Sequence, residues 1–214
     1  MRIKNIKKII GLIIFFVIVC ASNFIDYGNK VFEVKNPSEI FIDLNNNLVF
    51  DEKEPFVFDN IHYINKNTNL ESYPILKQLT DNEKFFLEYM AIEKANNLLK
   101  NKYVKLKDND IFIKNKSYTS ELLKSKYVFD DTEKSQQELL DNIKSINLDD
   151  YVILNTKTKK YHKFNCESGR KSNKYKIVKL SEAKETASPC KSCHLTPIYQ
   201  NEKPQIIQKV QKEI

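Results

Sequence analysis

The stretch TDNEKFFLEYMAIEKANNLL, residues 80–99, predicts the central helix of the fold. Thr80, followed three residues later by Glu83, forms a capping box, in which each side chain bonds the backbone N–H of the other residue. Apolar residues then recur every three or four positions, at Phe85, Tyr89, Ile92, Ala95 and Leu99. This spacing predicts a helix with one buried apolar stripe.

Short apolar runs on both sides of this helix predict strands. Residues 39–44 and 55–58 precede it, and their simplest arrangement is a hairpin across a polar loop. Residues 103–106 and 111–113 follow it across a turn. Two further helices are predicted over residues 119–126 and 132–146. We therefore expect an α+β domain over residues 30–150.

Three segments within residues 95–129 resemble sequence motifs of a known protein family. They are Lys102-Tyr-Val-Lys-Leu106, Ile111-Phe-Ile-Lys-Asn115 and Glu121-Leu-Leu-Lys-Ser-Lys-Tyr127. The order of elements and these segments resemble a shortened thermonuclease (staphylococcal nuclease-like) domain. The resemblance implies a small OB-like β-barrel or sheet with helices, a fold that commonly binds single-stranded nucleic acid. An unrelated α+β domain is the alternative.

The arginine content argues against the chemistry that this resemblance implies. The family's nucleases use two arginines on the scissile phosphate, a glutamate base and carboxylates that hold calcium. This chain has no arginine between residues 3 and 169, and lysine lacks the planar fork that clamps a phosphate. We expect a degenerate, nuclease-like domain, assign no catalytic residue and leave enzymatic activity open. With three glycines in the chain, a Gly-rich nucleotide loop is excluded.

The C-terminal part carries two close pairs of metal-binding residues separated by 23 residues, namely His162 with Cys166 and Cys190 with Cys193. This layout is typical of a tetrahedral structural zinc site, in which the long connection supplies a strand and a helix. A Cys190–Cys193 disulfide or redox pair is one alternative. A c-type haem attachment motif ending at His194 is another. Zinc is the cofactor that accounts for all four residues.

The residues around these ligands, Tyr161-His162, Ser181-Glu182-Ala183 and Pro189-Cys190, resemble Ada-like metal-binding domains and the similar modules of secreted nucleases. The resemblance implies a zinc module over residues 151–197 and a separate tail over 198–214. His162 stands where Ada-like domains have a methyl-accepting cysteine, and a zinc-bound imidazole is not a thiolate nucleophile. We therefore expect structural zinc and no methyl transfer.

A second cation site is predicted in the loop between the first two strands. Oxygen ligands follow the spacing of an EF-hand calcium loop, except that Leu48 replaces the usual glycine. An Asn-rich polar turn is the alternative. The candidate calcium ligands are Asp43, Asn45, Asn47, the carbonyl of Val49, Asp51 and Glu54.

Charge is distributed unevenly along the chain. Residues 156–214 carry 14 basic and 5 acidic side chains, whereas residues 22–155 carry 17 basic and 23 acidic ones. Basic residues interleaved with aromatic ones are typical of non-specific or single-stranded nucleic-acid binding. Anionic lipid, cell-wall polymer or an ordinary solvated surface are alternatives. The candidate contacts are Lys157, Lys159, Lys160, Tyr161, Lys163, Arg170, Lys171 and Lys174.

Residues 1–21 have the pattern of a targeting segment. Four basic residues precede an apolar run from Ile9 to Val19, and small residues follow it. We expect a signal peptide or, if it is not cleaved, an N-terminal membrane anchor. A lipoprotein and a buried cytosolic helix are alternatives. The protein is predicted to be secreted or membrane-anchored, outside the cytoplasm.

Together these features predict an exported nucleic-acid-binding protein with a degenerate thermonuclease-like domain and a structural zinc module. A divergent metal-dependent nuclease is the second hypothesis. A non-catalytic structural protein of the cell envelope is the third.

Overall fold

A computed structural model describes residues 28–45, 47–50 and 55–193. The predicted targeting segment, the predicted tail, Asp51 and Glu54 lie outside these ranges. The described part of the chain forms two sheets and five helices, which confirms the α+β class. None of the helices in these ranges combines the length and the apolarity that a bilayer span requires.

The first sheet has six strands in the order β3-β2-β1-β4-β5-β6. Every neighbouring pair is antiparallel, and the predicted β2–β3 pairing is confirmed by the partners Ile40 and Phe56. The strands are β1 (Asn29–Asn36), β2 (Glu39–Ile42), β3 (Pro55–Val57), β4 (Tyr103–Lys107), β5 (Asp110–Ile113) and β6 (Lys116–Ser117).

Strand β1 is central in this sheet, yet the sequence did not predict it. Its buried residues Val31 and Val34 are three positions apart, because shifts in register interrupt the ladder with β2. A strict alternation of apolar and polar residues is the usual sequence signal of a half-buried strand. The irregular ladder removes that signal from β1.

The sheet curls without closing. Phe58, after β3, and Tyr118, after β6, have ring centroids 5.2 Å apart, so the two ends of the sheet approach each other. No ladder joins β3 to β6 within the described ranges, and a groove of about 950 Å³ lies beside these ends. The OB-like expectation therefore corresponds to an open, curled sheet and not to a closed barrel.

Two helices, α1 (Asp81–Leu99) and α2 (Tyr118–Leu123), pack on this sheet. The third, α3 (Glu133–Ser145), instead buries Leu139 and Ile143 in a second cluster with Phe86 of α1. The predicted capping box is present, with the Thr80 N–H donating to Glu83 Oε2 at 2.7 Å and the Glu83 N–H donating to Thr80 Oγ1 at 3.3 Å. Ala95 and Leu99 are fully buried, as the predicted stripe requires. Phe85 and Tyr89 instead contact the second sheet. The single-stripe prediction was incomplete because α1 packs between two sheets.

The second sheet has four strands in the order β10-β8-β7-β9, and β10 runs parallel to β8. Strand β9 and helix α5 form the predicted strand and helix of the long connection, and α5 begins at Leu180 with Lys179 as its N-cap. The elements are β7 (Tyr151–Asn155), β8 (Lys160–His162), α4 (Glu167–Arg170), β9 (Tyr175–Lys179), α5 (Leu180–Thr186) and β10 (Ser188–Pro189).

Both faces of the second sheet are covered. Ile153 and Ile177 belong to a buried cluster that also contains Phe86 of α1. On the other face, Leu154 packs in a smaller cluster with Ala183 of α5. The hydrophobic core therefore continues across the domain boundary that the sequence predicted after residue 150.

Candidate metal centre and basic surface

The four predicted zinc ligands converge at one end of the second sheet. One ring nitrogen of His162 and the sulfurs of Cys166, Cys190 and Cys193 all lie within 4.8 Å of one another. His162 Nδ1 is 3.3 Å from Cys166 Sγ and 3.6 Å from Cys193 Sγ. Zinc bonds of about 2.3 Å to sulfur and about 2.0 Å to nitrogen put tetrahedral ligands about 3.6 Å apart. The geometry is therefore compatible with zinc bound through Nδ1.

Backbone turns hold each pair of ligands. The N–H of Cys166 donates to the carbonyl of Lys163 at 3.0 Å, and its own carbonyl accepts the N–H of Gly169 at 3.0 Å. The N–H of Cys190 donates to the carbonyl of Tyr161 at 2.9 Å, beside the parallel β8–β10 ladder. This ladder fixes the separation between the two pairs.

Burial and hydrogen bonds shift the pKa values of the candidate ligands in different directions. Burial lowers the pKa of His162, and the charge of Lys160 adds to this effect, so the imidazole stays neutral as a metal ligand requires. Burial and a hydrogen bond with Cys166 raise the pKa of the Cys193 thiol. For Cys190, burial acts upward but hydrogen bonds from the backbone of Cys193 and Ser192 outweigh it and lower the pKa to about 7. A cation bound by all four residues would therefore have to replace the proton of the Cys193 thiol.

Gly169 leaves room for the candidate ligand His162, a role that the sequence did not predict. A Cβ at this position would lie 2.8 Å from the Cβ and 3.1 Å from the Cγ of His162. A side chain would therefore displace the imidazole. The sequence feature that could have indicated this role is the position of Gly169, one of three glycines in the chain, only three residues after Cys166.

The rival interpretations of the cysteines account for fewer residues. Cys166, Cys190 and Cys193 are free thiols in the structure. A disulfide or a haem attachment would use Cys190 and Cys193 and leave the convergence of His162 and Cys166 unexplained. His194, which the haem motif needs, lies outside the described ranges.

The predicted calcium loop is only partly described. The carboxylate of Asp43 is buried and accepts the N–H groups of Asn47 at 3.0 Å and Leu48 at 2.8 Å. The side chain of Asn45 accepts the N–H of Asn47, and that of Asn47 accepts the N–H of Val49. These hydrogen bonds also suit a polar turn without an ion, so calcium stays a prediction.

The structure brings several predicted nucleic-acid contacts to one place. Lys157, Lys159 and Lys160 are exposed in and beside the turn between β7 and β8. The N–H of Thr156 donates to the carbonyl of Lys174 at 2.9 Å, which joins that exposed lysine to the same turn. We call Lys157, Lys159, Lys160 and Lys174 the lysine cluster.

The other predicted contacts are placed differently. Lys163 is half-buried beside the metal ligands, and the exposed Lys171 pairs with Glu167. Tyr161 is 1% exposed within the cluster that includes Leu154, so its ring is not placed to stack on a base as predicted. Tyr161 is buried because both faces of the second sheet are covered, so that adjacent residues of β8, Tyr161 and His162, are both inside.

Arg170 holds the second sheet against the body instead of facing solvent as a phosphate ligand. Its Nε donates to the carbonyl of Phe164 and its Nη2 donates to Asn82 Oδ1 at 2.5 Å. Its guanidinium lies 5.2 Å from the ring centroid of Phe85. The guanidinium group is thus already bonded within the protein, and its contacts with Asn82 and Phe85 are on the first turn of α1. A phosphate would need the same planar group for a bidentate contact.

No protein-family model, curated protein or solved structure matches this chain. The Ada-like and thermonuclease-like resemblances are therefore not confirmed. The structure shows an α+β protein with a His/Cys₃ cluster that is compatible with zinc.

Proposed function

We propose that the protein is an exported, zinc-stabilised nucleic-acid-binding protein with an Ada-like module and a degenerate thermonuclease-like body. The observation that carries the proposal is that β8 joins the metal centre to the lysine cluster. Lys160 begins this strand and His162 ends it, a separation of about 7 Å. A bound zinc ion would thus fix the strand that presents the positive charge.

Charge supports a polyanion as the ligand. Within the described ranges, the salt bridges formed by lysines involve other residues, such as Lys171 with Glu167, and none includes the lysine cluster. An approaching phosphate would therefore not compete with a carboxylate held on these lysines. Because Tyr161 is buried and Arg170 is engaged, we expect phosphate contacts to dominate and sequence preference to be weak.

The test is a titration of single-stranded DNA against zinc-loaded protein that begins at residue 22. The variant replaces Lys157, Lys159, Lys160 and Lys174 with Gln. We expect weaker binding and a salt slope flatter by up to about 3 units, at about 0.7 per lost phosphate contact.

A matched control changes the same number of charges elsewhere. Lys100, Lys107, Lys116 and Lys134 are exposed lysines of the body, and their replacement with Gln should leave most of the affinity intact. Equal weakening in both variants would contradict a specific lysine surface. Absence of binding by the folded, zinc-loaded parent would favour a structural envelope protein, and metal-dependent DNA cleavage would favour a divergent nuclease.

A further inference from the structure

An exposed apolar patch lies in the loop after β2. Leu48 is 62% exposed and Val49 60% exposed, and Leu44 and Phe50 are also exposed. Four large apolar side chains in one short loop are more than the scattered exposed residues of an ordinary soluble surface. We call Leu44, Leu48, Val49 and Phe50 the apolar loop.

The apolar loop is attached to the outer face of the first sheet. The ring of Phe50 lies 5.9 Å from that of Phe32 on β1 and 5.5 Å from that of Phe41 on β2. The buried carboxylate of Asp43 accepts the N–H of Leu48 at 2.8 Å, which fixes the loop backbone. The exposure of Leu48 and Val49 is thus a feature of a hydrogen-bonded loop that rests on the sheet.

The apolar loop also lies where the N-terminal segment joins the fold. Asn29 Nδ2 donates to the carbonyl of Asp43 at 2.7 Å, and the N–H of Asp43 donates to the carbonyl of Lys30 at 2.8 Å. An uncleaved anchor extends beyond the apolar run, across Ser22 and Asn23, to Ile25, and Asn29 follows Ile25 by four residues. Four residues span at most about 14 Å when fully extended.

We propose that the apolar loop inserts into the outer part of a lipid bilayer, next to an uncleaved N-terminal anchor. An anchor embedded as far as Ile25 would hold the start of β1 within reach of the membrane surface. Tyr103, which is exposed, and Lys30, its partner across β1 and β4, flank the same end of the sheet. Tyrosine and lysine are suited to the interface between lipid headgroups and acyl chains.

The test uses the lack of tryptophan in this chain, so that one introduced residue is the only indole. The full chain with Val49→Trp is reconstituted into vesicles of phosphatidylcholine and phosphatidylglycerol with brominated acyl chains. We expect a blue shift and a loss of about half or more of the emission relative to unbrominated vesicles, since the side chain would sit at the acyl boundary.

Val57→Trp is the matched control. Val57 is 56% exposed, but it pairs with Glu39 at the end of β2 opposite the apolar loop. Its emission should be nearly the same in both kinds of vesicle. A second variant, Leu48→Trp, should repeat the result of Val49→Trp and guards against misfolding caused by one substitution.

Three outcomes would overturn the proposal. The first is equal quenching, or none, at Val49→Trp and Val57→Trp. The second is failure of the full chain to float with vesicles. The third is a blue shift of Val49→Trp that grows with protein concentration without lipid, which would assign the apolar loop to contact between copies of this chain.

Discussion

The candidate metal centre and the Asp43 loop were both predicted from ligand spacing. In the structure, the first is a convergence of distant side chains, whereas the second is a set of local hydrogen bonds. At the metal centre, ligands from separate turns converge to within 4.8 Å across a gap of 23 residues in the sequence. In the loop, the Asp43 carboxylate is bonded to the N–H groups of Asn47 and Leu48, within five residues.

The difference shows how much a spacing pattern can establish. Local oxygen spacing has two physical explanations, because Asp and Asn stabilise turns through their own backbone as well as through cations. Convergence of three thiols and an imidazole from distant turns has no such local explanation. Experiments that remove one ligand from each region test this comparison directly.

The largest effect is expected from Cys190→Ser. Binding of structural zinc supplies about 10–16 kcal/mol, which is as large as the whole stability of a typical domain. We expect metal analysis to find about one zinc per chain in the parent and none in the variant, and circular dichroism to show unfolding of the second sheet. Because Phe164 and Ile177 share a buried cluster with Phe86, the thermal transition of the body should also fall.

Cys20→Ser in the full chain is the control, since it removes a thiol that is not one of the four candidate ligands. Its zinc content and thermal transition should match those of the parent. Stoichiometric covalent haem, or a Cys190–Cys193 disulfide without metal, would contradict the zinc assignment.

A smaller effect is expected from Gly169→Ala, which keeps every ligand. The added Cβ would lie 2.8 Å from the Cβ of His162, and relief of such overpacking costs about 1–3 kcal/mol. Zinc affinity in a chelator competition should therefore fall about 10–100-fold. Ser168→Ala, on the exposed side of the same short helix, should leave the affinity unchanged. Equal affinities in both variants would show that Gly169 does not position His162.

Most of the elements and the metal ligands could be predicted from the sequence because their signals are local. The capping box at Thr80 gave α1, and helix α3 was predicted with one extra residue at each end. Strand β1 was missed because its register shifts hide the alternation. The roles of Tyr161 and Arg170 were missed because burial against α5 and α1 depends on tertiary packing, which residue type and spacing do not specify.

The smallest effect is expected from Leu48→Gly, which tests whether the Asp43 loop binds calcium or is a turn that needs no ion. Leu48 has φ of 60°, a left-handed conformation that costs a non-glycine residue about 1–2 kcal/mol. Glycine removes this cost but adds entropy to the unfolded chain, about 0.4–1 kcal/mol in the opposite sense. Since the Leu48 side chain is exposed, little core packing is lost. Without calcium we therefore expect the unfolding free energy to rise by at most about 1.6 kcal/mol.

Calcium then decides between an ion site and a self-sufficient turn. If the loop binds calcium, glycine at this position relaxes the backbone, and millimolar calcium should raise the melting temperature of Leu48→Gly more than that of the parent. Asp43→Asn should abolish the calcium response, because it removes a ligand charge. A melting temperature that calcium leaves unchanged in both the parent and Leu48→Gly would contradict the calcium prediction. The loop would then be a turn whose backbone N–H groups satisfy Asp43 by themselves.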